Sequence, residues 1–443
     1  MTMVARRRAP GVRKGAPHPL RTEAVRGFAP FAGAVVLVTL GVMLGSRAKR
    51  WQGDWGATAA QVHSALLIIL PLGAAAGCWQ GGRERRRRTE ELWGTAVRPP
   101  LVRFLAAALP LTAWVTAGYL VAVAAALLAT GPYALGGRPH LGLLPGDAVA
   151  LASAALAGQV AGRVLPTRLA APLLAVAGYA GLGVATMGSS GHGSPLSPVF
   201  PVGDDQLPVW WQPVAMAVWT GGVALAAVLA YAARRRTAAL LPLAAAVAAG
   251  ALLVRTGEGL LHPDPLSRHQ VCDTSTTPAV CVNARYAKLL PQVKAAVAGI
   301  TGKLEGVRNL PVRWADRPGG FHPDEAQLPM VTPVGWALVR GRLTDPREFA
   351  WEAAAGLGRH AECEEPRVME LDELVRHYLA PRPYESYIDG LDAHGSRAQR
   401  AELRKRVAAR AHLASMSGTE RRAWLSAYFA TAGSCDVTGV PQL

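Results

Sequence analysis

Residues 359–366 read Arg-His-Ala-Glu-Cys-Glu-Glu-Pro. His360 with Glu362 two positions later matches the start of the zinc deaminase signature, in which the histidine holds zinc and the glutamate moves the proton. No Pro-Cys-x-x-Cys follows to complete that ligand set. His-Glu-x-x-His is absent, so a zincin peptidase lacks its ligands and base. Gly-x-Ser-x-Gly is absent too, so no hydrolase nucleophile elbow is indicated. His360, Glu362, Glu364, Glu365 and His377 would have to converge in space to hold a metal. Against that, Cys363 is better used in a disulfide, and the glutamates read as a solvated loop. Asp273, His262, His269 and His322 read as surface residues. The expectation is therefore no catalytic residue, no metal and no cofactor. No Gly-x-x-x-x-Gly-Lys-[Ser/Thr] occurs either, so the chain has no P-loop of its own for ATP.

Sulfur is the second chemistry. Of five cysteines, Cys78 falls inside an apolar run and reads as a packing residue. Cys272, Cys281, Cys363 and Cys435 all follow the last such run. Four cysteines in a segment outside the cytoplasm suggest disulfides, and three pairings exist. The favoured one joins Cys272 to Cys281, closing a short loop, and Cys363 to Cys435, tying the chain end to the middle of its domain. Free buried thiols are the alternative.

The third is a cationic knot, Arg83 and Arg85 to Arg88, followed by Thr-Glu-Glu-Leu-Trp-Gly-Thr over residues 89–95. The arginines hold a loop in the cytoplasm, where they also meet anionic lipid heads. Thr89 is suited to cap a short helix with Glu90 and Glu91 in its first turn, where carboxylates complement the dipole. Leu92, Trp93 and Val97 would line one side of that helix, and Pro99 and Pro100 would end it. Such an amphipathic piece either lies in the interface or docks into a partner's groove.

The elements that must position these residues are mostly apolar. The chain has 443 residues, 51% hydrophobic and 17% charged, with net charge +17. The cations sit in short clusters beside long uncharged runs, unlike the basic surface of a nucleic-acid binder, so no nucleic-acid partner is expected. A hydrocarbon core of about 30 Å takes about 20 helical residues. Seven runs approach or pass that length: 28–46, 55–82, 104–137, 148–162, 169–203, 206–233 and 237–254. No signal-peptide cleavage site follows the first. Arginines and lysines concentrate in the N-terminal tail and in the second-to-third, fourth-to-fifth and sixth-to-seventh connections. That side should be cytoplasmic, and an odd number of spans then puts the late cysteines outside. The lipid bilayer is thus the first expected partner. Intramembrane charge is nearly absent, which argues against a proton- or ion-coupled carrier. His63 is the one exception, read as lying near the outer end of the second span. Gly73/Gly77 and Gly158/Gly162 have Gly-x-x-x-Gly spacing, weak evidence for dimerisation.

The expected fold is an all-α polytopic membrane protein of about seven transmembrane helices, followed by a mostly helical α+β extracytoplasmic domain. The divisions are a basic cytoplasmic tail at 1–27, a transmembrane domain at 28–255 and the disulfide-containing domain at 256–443. In the last, Tyr286, Leu290, Val293, Val297, Ile300 and Leu304 mark one helical face. Residues 310–315 and part of 330–339 read as strands, with Thr344 capping a helix that has Pro346 early in it. Further helices are expected over 368–380, 396–414 and 417–430, the last opened by a Ser417/Glu420 capping box.

The stretch Glu-Glu-Leu-Trp-Gly-Thr-Ala-Val-Arg-Pro-Pro-Leu-Val-Arg-Phe at 90–104 resembles the cytoplasmic segment of ABC-2-type permeases, especially those of actinobacteria. The abundance of Ala, Gly, Arg and Pro also suggests a GC-rich coding sequence. The 158–179 stretch, with its Arg-Pro link between two spans, is similar to the middle of those permeases. The resemblance covers about residues 25–235. It implies an export subunit needing a separate ABC ATPase and a second permease subunit or a homodimer. It also implies that Glu90, Glu91, Trp93, Gly94 and Thr95 contact the ATPase. The alternative is a membrane-anchored extracytoplasmic enzyme or sensor.

Overall fold

The computed structural model describes residues 24–25, 27–87, 99–165, 167–187, 194–317, 322, 324–329, 338–358 and 363–442. The apolar runs form α1 (Ala29–Ser46), α2 (Trp55–Ser64), α3 (Leu66–Gly81), α4 (Pro100–Thr130), α5 (Leu144–Val164), α6 (Ala170–Thr186), α7 (Gln212–Ala232) and α8 (Leu240–Thr256). With α2 and α3 taken as one span, six segments among the described residues are long and apolar enough to cross a membrane. α6, at 17 residues, is the shorter apolar helix. The protein is therefore membrane-embedded through a helical bundle.

Several boundaries differ from the sequence reading: the third run is helical over Pro100–Thr130 rather than 104–137, and the sixth begins at Gln212 because Gln206–Pro208 is a strand. The fifth run stays helical only to Thr186 rather than Gly203. The fourth helix begins at Leu144, ahead of the expected Ala148, because Pro145 suits the first turn of a helix and Asp147 complements its dipole. Asp147 consequently sits inside the helix rather than ahead of it.

Glycine sets the closest contact in the bundle. α3 lies against α5 with almost no side chain between them. A Cβ on Gly77 would collide with the Ala155 carbonyl oxygen, one on Gly158 with that of Ala74, and one on Gly162 with that of Cys78. The Gly-x-x-x-Gly spacings expected to serve dimerisation instead face each other within one chain. Small residues let backbones approach where lipid supplies no hydrophobic drive between helices.

After α8, β2 (Leu261–Pro263) pairs antiparallel with β1 (Gln206–Pro208), which lies in the α6–α7 connection. A four-stranded sheet follows, built of β3 (Gln270–Asp273), β4 (Ala279–Asn283), β5 (Arg313–Ala315) and β6 (Glu325–Gln327) in that order. β3 pairs antiparallel with β4, and the other neighbours are parallel. The parallel step from β4 to β5 is made by α9 (Leu290–Lys303), whose Val293, Val297 and Ile300 are buried against the sheet residue Trp314. A small hairpin, β7 (Leu338–Val339) with β8 (Arg342–Leu343), leads into α10 (Pro346–Ala355), α11 (Pro366–Leu379), α12 (Glu385–Ala393), α13 (Arg397–Ser415) and α14 (Gly418–Ala430). Asp345 rather than Thr344 caps α10, its carboxylate accepting from the Arg347 and Glu348 amides. Asp with Pro directly behind it satisfies the cap and the first helical position together. Ser417 and Glu420 form the capping box of α14. Cys272 is bridged to Cys281 and Cys363 to Cys435, while Cys78 is a free, buried thiol.

This domain is seated on one end of the bundle, called here the domain end. Leu135, in the connection after α4, is buried in the domain's own core. Its amide donates to the Gly53 carbonyl at 3.1 Å, and its carbonyl accepts from the Lys288 amide at 3.0 Å. The opposite end, the arginine end, carries Arg83 and Arg85–Arg87 after α3, Arg163 and Arg168 around the α5–α6 link, and Arg234–Arg236 after α7.

Candidate functional site

Arg285 is the centre of the domain end. It follows β4 and is only 7% exposed. Asn283 sets the turn that presents it, accepting from the Arg285 amide at 3.0 Å. The guanidinium donates to both carboxylate oxygens of Asp54, at 3.1 and 3.0 Å, and to the Asp204 carbonyl at 2.6 Å. Asp264 stands 3.9 Å away and also meets His140 at 3.3 Å. Arg285 and Asp264 together thus gather the N-cap of α2, the α4–α5 connection and the α6–α7 connection. Asp54 serves twice, since its carboxylate also accepts from the Ala57 amide to start α2.

Burial shapes the ionisation of this cluster. It would depress Arg285, but Asp54, Tyr286, Asp204 and Asp264 outweigh it and raise the guanidinium above its ordinary value. Burial and then the Asp54 charge push Asp204 upward. Burial lowers His140 against the pull of Asp264 and Asp54. Burial also lifts Asp316, below the same cluster, to about 6, against a hydrogen bond from the Asn283 backbone and the Arg285 charge.

A second buried polar group lies deeper in the bundle. The Nδ1 of His63 is 2.9 Å from Asp147 Oδ1, and its Nε2 is 3.2 Å from the Phe200 carbonyl. Tyr119 donates to the other Asp147 oxygen at 3.1 Å. Both ring nitrogens face oxygen acceptors, so the ring is fixed from two sides. The Phe200 ring meets the imidazole at 5.1 Å in an edge-on arrangement. His63, Asp147 and Tyr119 come from three helices and are 2%, 4% and 0% exposed. The sequence singles out His63 but not its partner, because the uncharged run begins at Ala148, one residue after Asp147.

No family model, no curated protein and no solved structure matches this chain. Its function has to be read from its own geometry.

The arginine end is built differently. Arg85 donates to the carbonyls of Leu165 and Arg163 at 2.6 and 2.9 Å, and Arg163 pairs with Glu84 at 3.0 Å. These contacts tie the end of α3 to the end of α5. The expected ATPase-contact residues, Glu90, Glu91, Trp93, Gly94 and Thr95, lie outside the described residues, as do Arg88 and Thr89.

In the C-terminal domain, a cleft of about 490 Å³ opens beside α11, α12 and α13. The guanidinium groups of Arg376 and Arg382 lie 5.0 and 4.8 Å from the Trp351 ring. His377 bonds Glu385 at 2.7 Å, and Arg410 meets Glu385 and Asp389 at 2.7 and 2.9 Å. His360 and Glu362 fall outside the described residues, and no cluster among the described residues has the makings of a metal site. His377 is committed to Glu385 rather than to the acidic loop before α11. Asp273 pairs with Lys294 at 2.6 Å, while His262, His269 and His322 are exposed.

Proposed function

We propose that this chain is a permease-like subunit of an export system, driven by an ATPase carried on a separate chain. In this reading the arginine end faces the cytoplasm, and the domain end with its two disulfides lies outside. The loop at 88–98 meets the ATPase, and a second permease half completes the path. The observation that carries the reading is the Arg285 joint. A tether for an enzyme needs one span and no buried ionic contact with its cargo. Here the outer domain, through Arg285 and Asp264, reaches Asp54, Asp204 and His140 on three bundle segments. Spans coupled this closely to an outer domain suit a device that moves as one body. The excess of arginines in the short connections at one end, with the disulfides at the other, supports the orientation.

The experiment is affinity purification of the full chain from its native membrane in mild detergent. A nucleotide-binding subunit should co-purify and be lost on Glu91→Arg with Gly94→Trp. Purification with no ATPase, under conditions that keep the outer domain folded, would overturn the proposal. A second reading, an anchored extracytoplasmic sensor, is favoured by the cleft beside Trp351, which arginines and carboxylates line together as a polar ligand would need.

A further inference from the structure

Between the ends of α3 and α5 and the start of α6 lies a crevice of about 160 Å³. Arg85, Arg86, Thr167 and Arg168 supply its polar lining, and Trp79, Gly82 and Ala170 its floor. Glu84, beside this cluster, pairs with Arg163 at 3.0 Å. Arg86 donates to the Trp79 carbonyl and lays its guanidinium 4.0 Å over the Trp79 ring. Burial, and then crowding by Arg168, Arg83 and Arg87, pull Arg86 below its ordinary value. Like charges held together in a concave site are the complement of an anion, which relieves their repulsion.

The surroundings select which anion. The crevice opens where the apolar helices stop, at the depth of lipid headgroups. Trp79 is 45% exposed there, as aromatic residues at that level commonly are. Directly alongside, α6 and the residue before it turn Leu169, Leu173 and Val176 outward at 65%, 61% and 67% exposure. Their spacing of four and three puts them on one face of the helix. Cationic groups and an apolar stripe meet at one point.

We propose that this crevice holds the phosphate of an anionic glycerophospholipid, with an acyl chain lying along the Leu169, Leu173 and Val176 face of α6. Basic pockets between transmembrane helices take such headgroups, and a guanidinium matches two phosphate oxygens at once. This goes beyond the transport reading and does not depend on an ATPase.

The test is native mass spectrometry of the purified full chain, released from detergent micelles doped with dioleoylphosphatidylglycerol or dioleoylphosphatidylcholine. The phosphatidylglycerol should be retained over the phosphatidylcholine. Arg86→Ala with Arg168→Ala should weaken retention roughly 25-fold, at about five-fold per arginine. Arg234→Ala with Arg235→Ala removes the same charge elsewhere at the same end and should leave retention unchanged. Should the first pair disturb folding, Arg168→Gln alone changes an exposed residue. It should still cost about five-fold while the lipid-free melting temperature stays put. Equal losses in both double variants would mean diffuse attraction and overturn the site. So would equal retention of the two lipids, or full displacement of phosphatidylglycerol by inorganic phosphate at matched concentration.

Discussion

At the domain end, Arg285 is enclosed by Asp54, Asp264 and the Asp204 carbonyl, with His140 behind Asp264. At the arginine end, Arg86 and Arg168 line an open crevice, and the Arg86 guanidinium donates to the Trp79 carbonyl. The first arrangement is closed and internally matched, so it is suited to joining two parts of one chain. The second has cationic capacity left over, so it is suited to a partner from outside. The same side chain, arginine, serves both purposes according to what its neighbours supply.

The largest expected effect comes from breaking the closed end. Asp54→Ala leaves Arg285 buried without its bidentate partner and removes the cap of α2. Loss of one member of a buried pair costs about 3–5 kcal/mol. Thermal melts in detergent should fall accordingly, and protease should cut the α4–α5 connection that the wild type protects. If the variant melted like the wild type, the joint would be incidental. Replacing both partners by apolar residues should cost less than the sum of the single changes.

The next effect is a pH dependence confined to the same end. Asp316 has a native value of about 6 against an ordinary value near 3.8. Between those values the native state binds more protons than the unfolded one, so stability contributed by this group rises as pH falls. Asp316→Asn removes that gain. The wild type should therefore gain about 2 kcal/mol relative to the variant between pH 7.5 and 4.5. His140 acts oppositely, since its lowered value makes stability fall on acidification below about 6.5, but it is common to both proteins and cancels. Parallel melting curves across that range would remove Asp316 from the cluster.

The smallest effect belongs to the arginine end. Glu84→Gln removes the charge that Arg163 pairs with at 3.0 Å, and Glu84 is 24% exposed along its side chain. A pair this close to solvent is worth less than about 1 kcal/mol. Melting should scarcely move, whereas the Asp54 change should be plain. Similar losses at both ends would erase the contrast between them.

Much of the fold was legible because lipid imposes long uncharged runs, and nothing in a water-soluble core imitates so many of them. The capping box at Ser417 and the apolar face through Val293, Val297 and Ile300 were legible as local patterns. The sites were not. Arg285 and Asp54 are 231 positions apart in the chain, and neither stands in a motif. Asp147 escaped notice because a single boundary residue decided whether it counted as inside the span. The paired glycines of α3 and α5 were visible as a spacing, but spacing cannot distinguish a neighbour in the same chain from one in another. Helix α12 is not legible because its 9 residues are too few to repeat the helical spacing of Tyr387, Ile388 and Leu391.

The length of α6 has a mechanical corollary. Seventeen residues rise about 25 Å, against a hydrocarbon thickness of about 30 Å. For such a rod to reach both surfaces, the oily layer beside it must shrink by several ångströms, at a fraction of a kcal/mol for each. The protein would then sit in a dimple of its own making, deepest along one flank, and its resting tilt would follow the composition of the sheet around it.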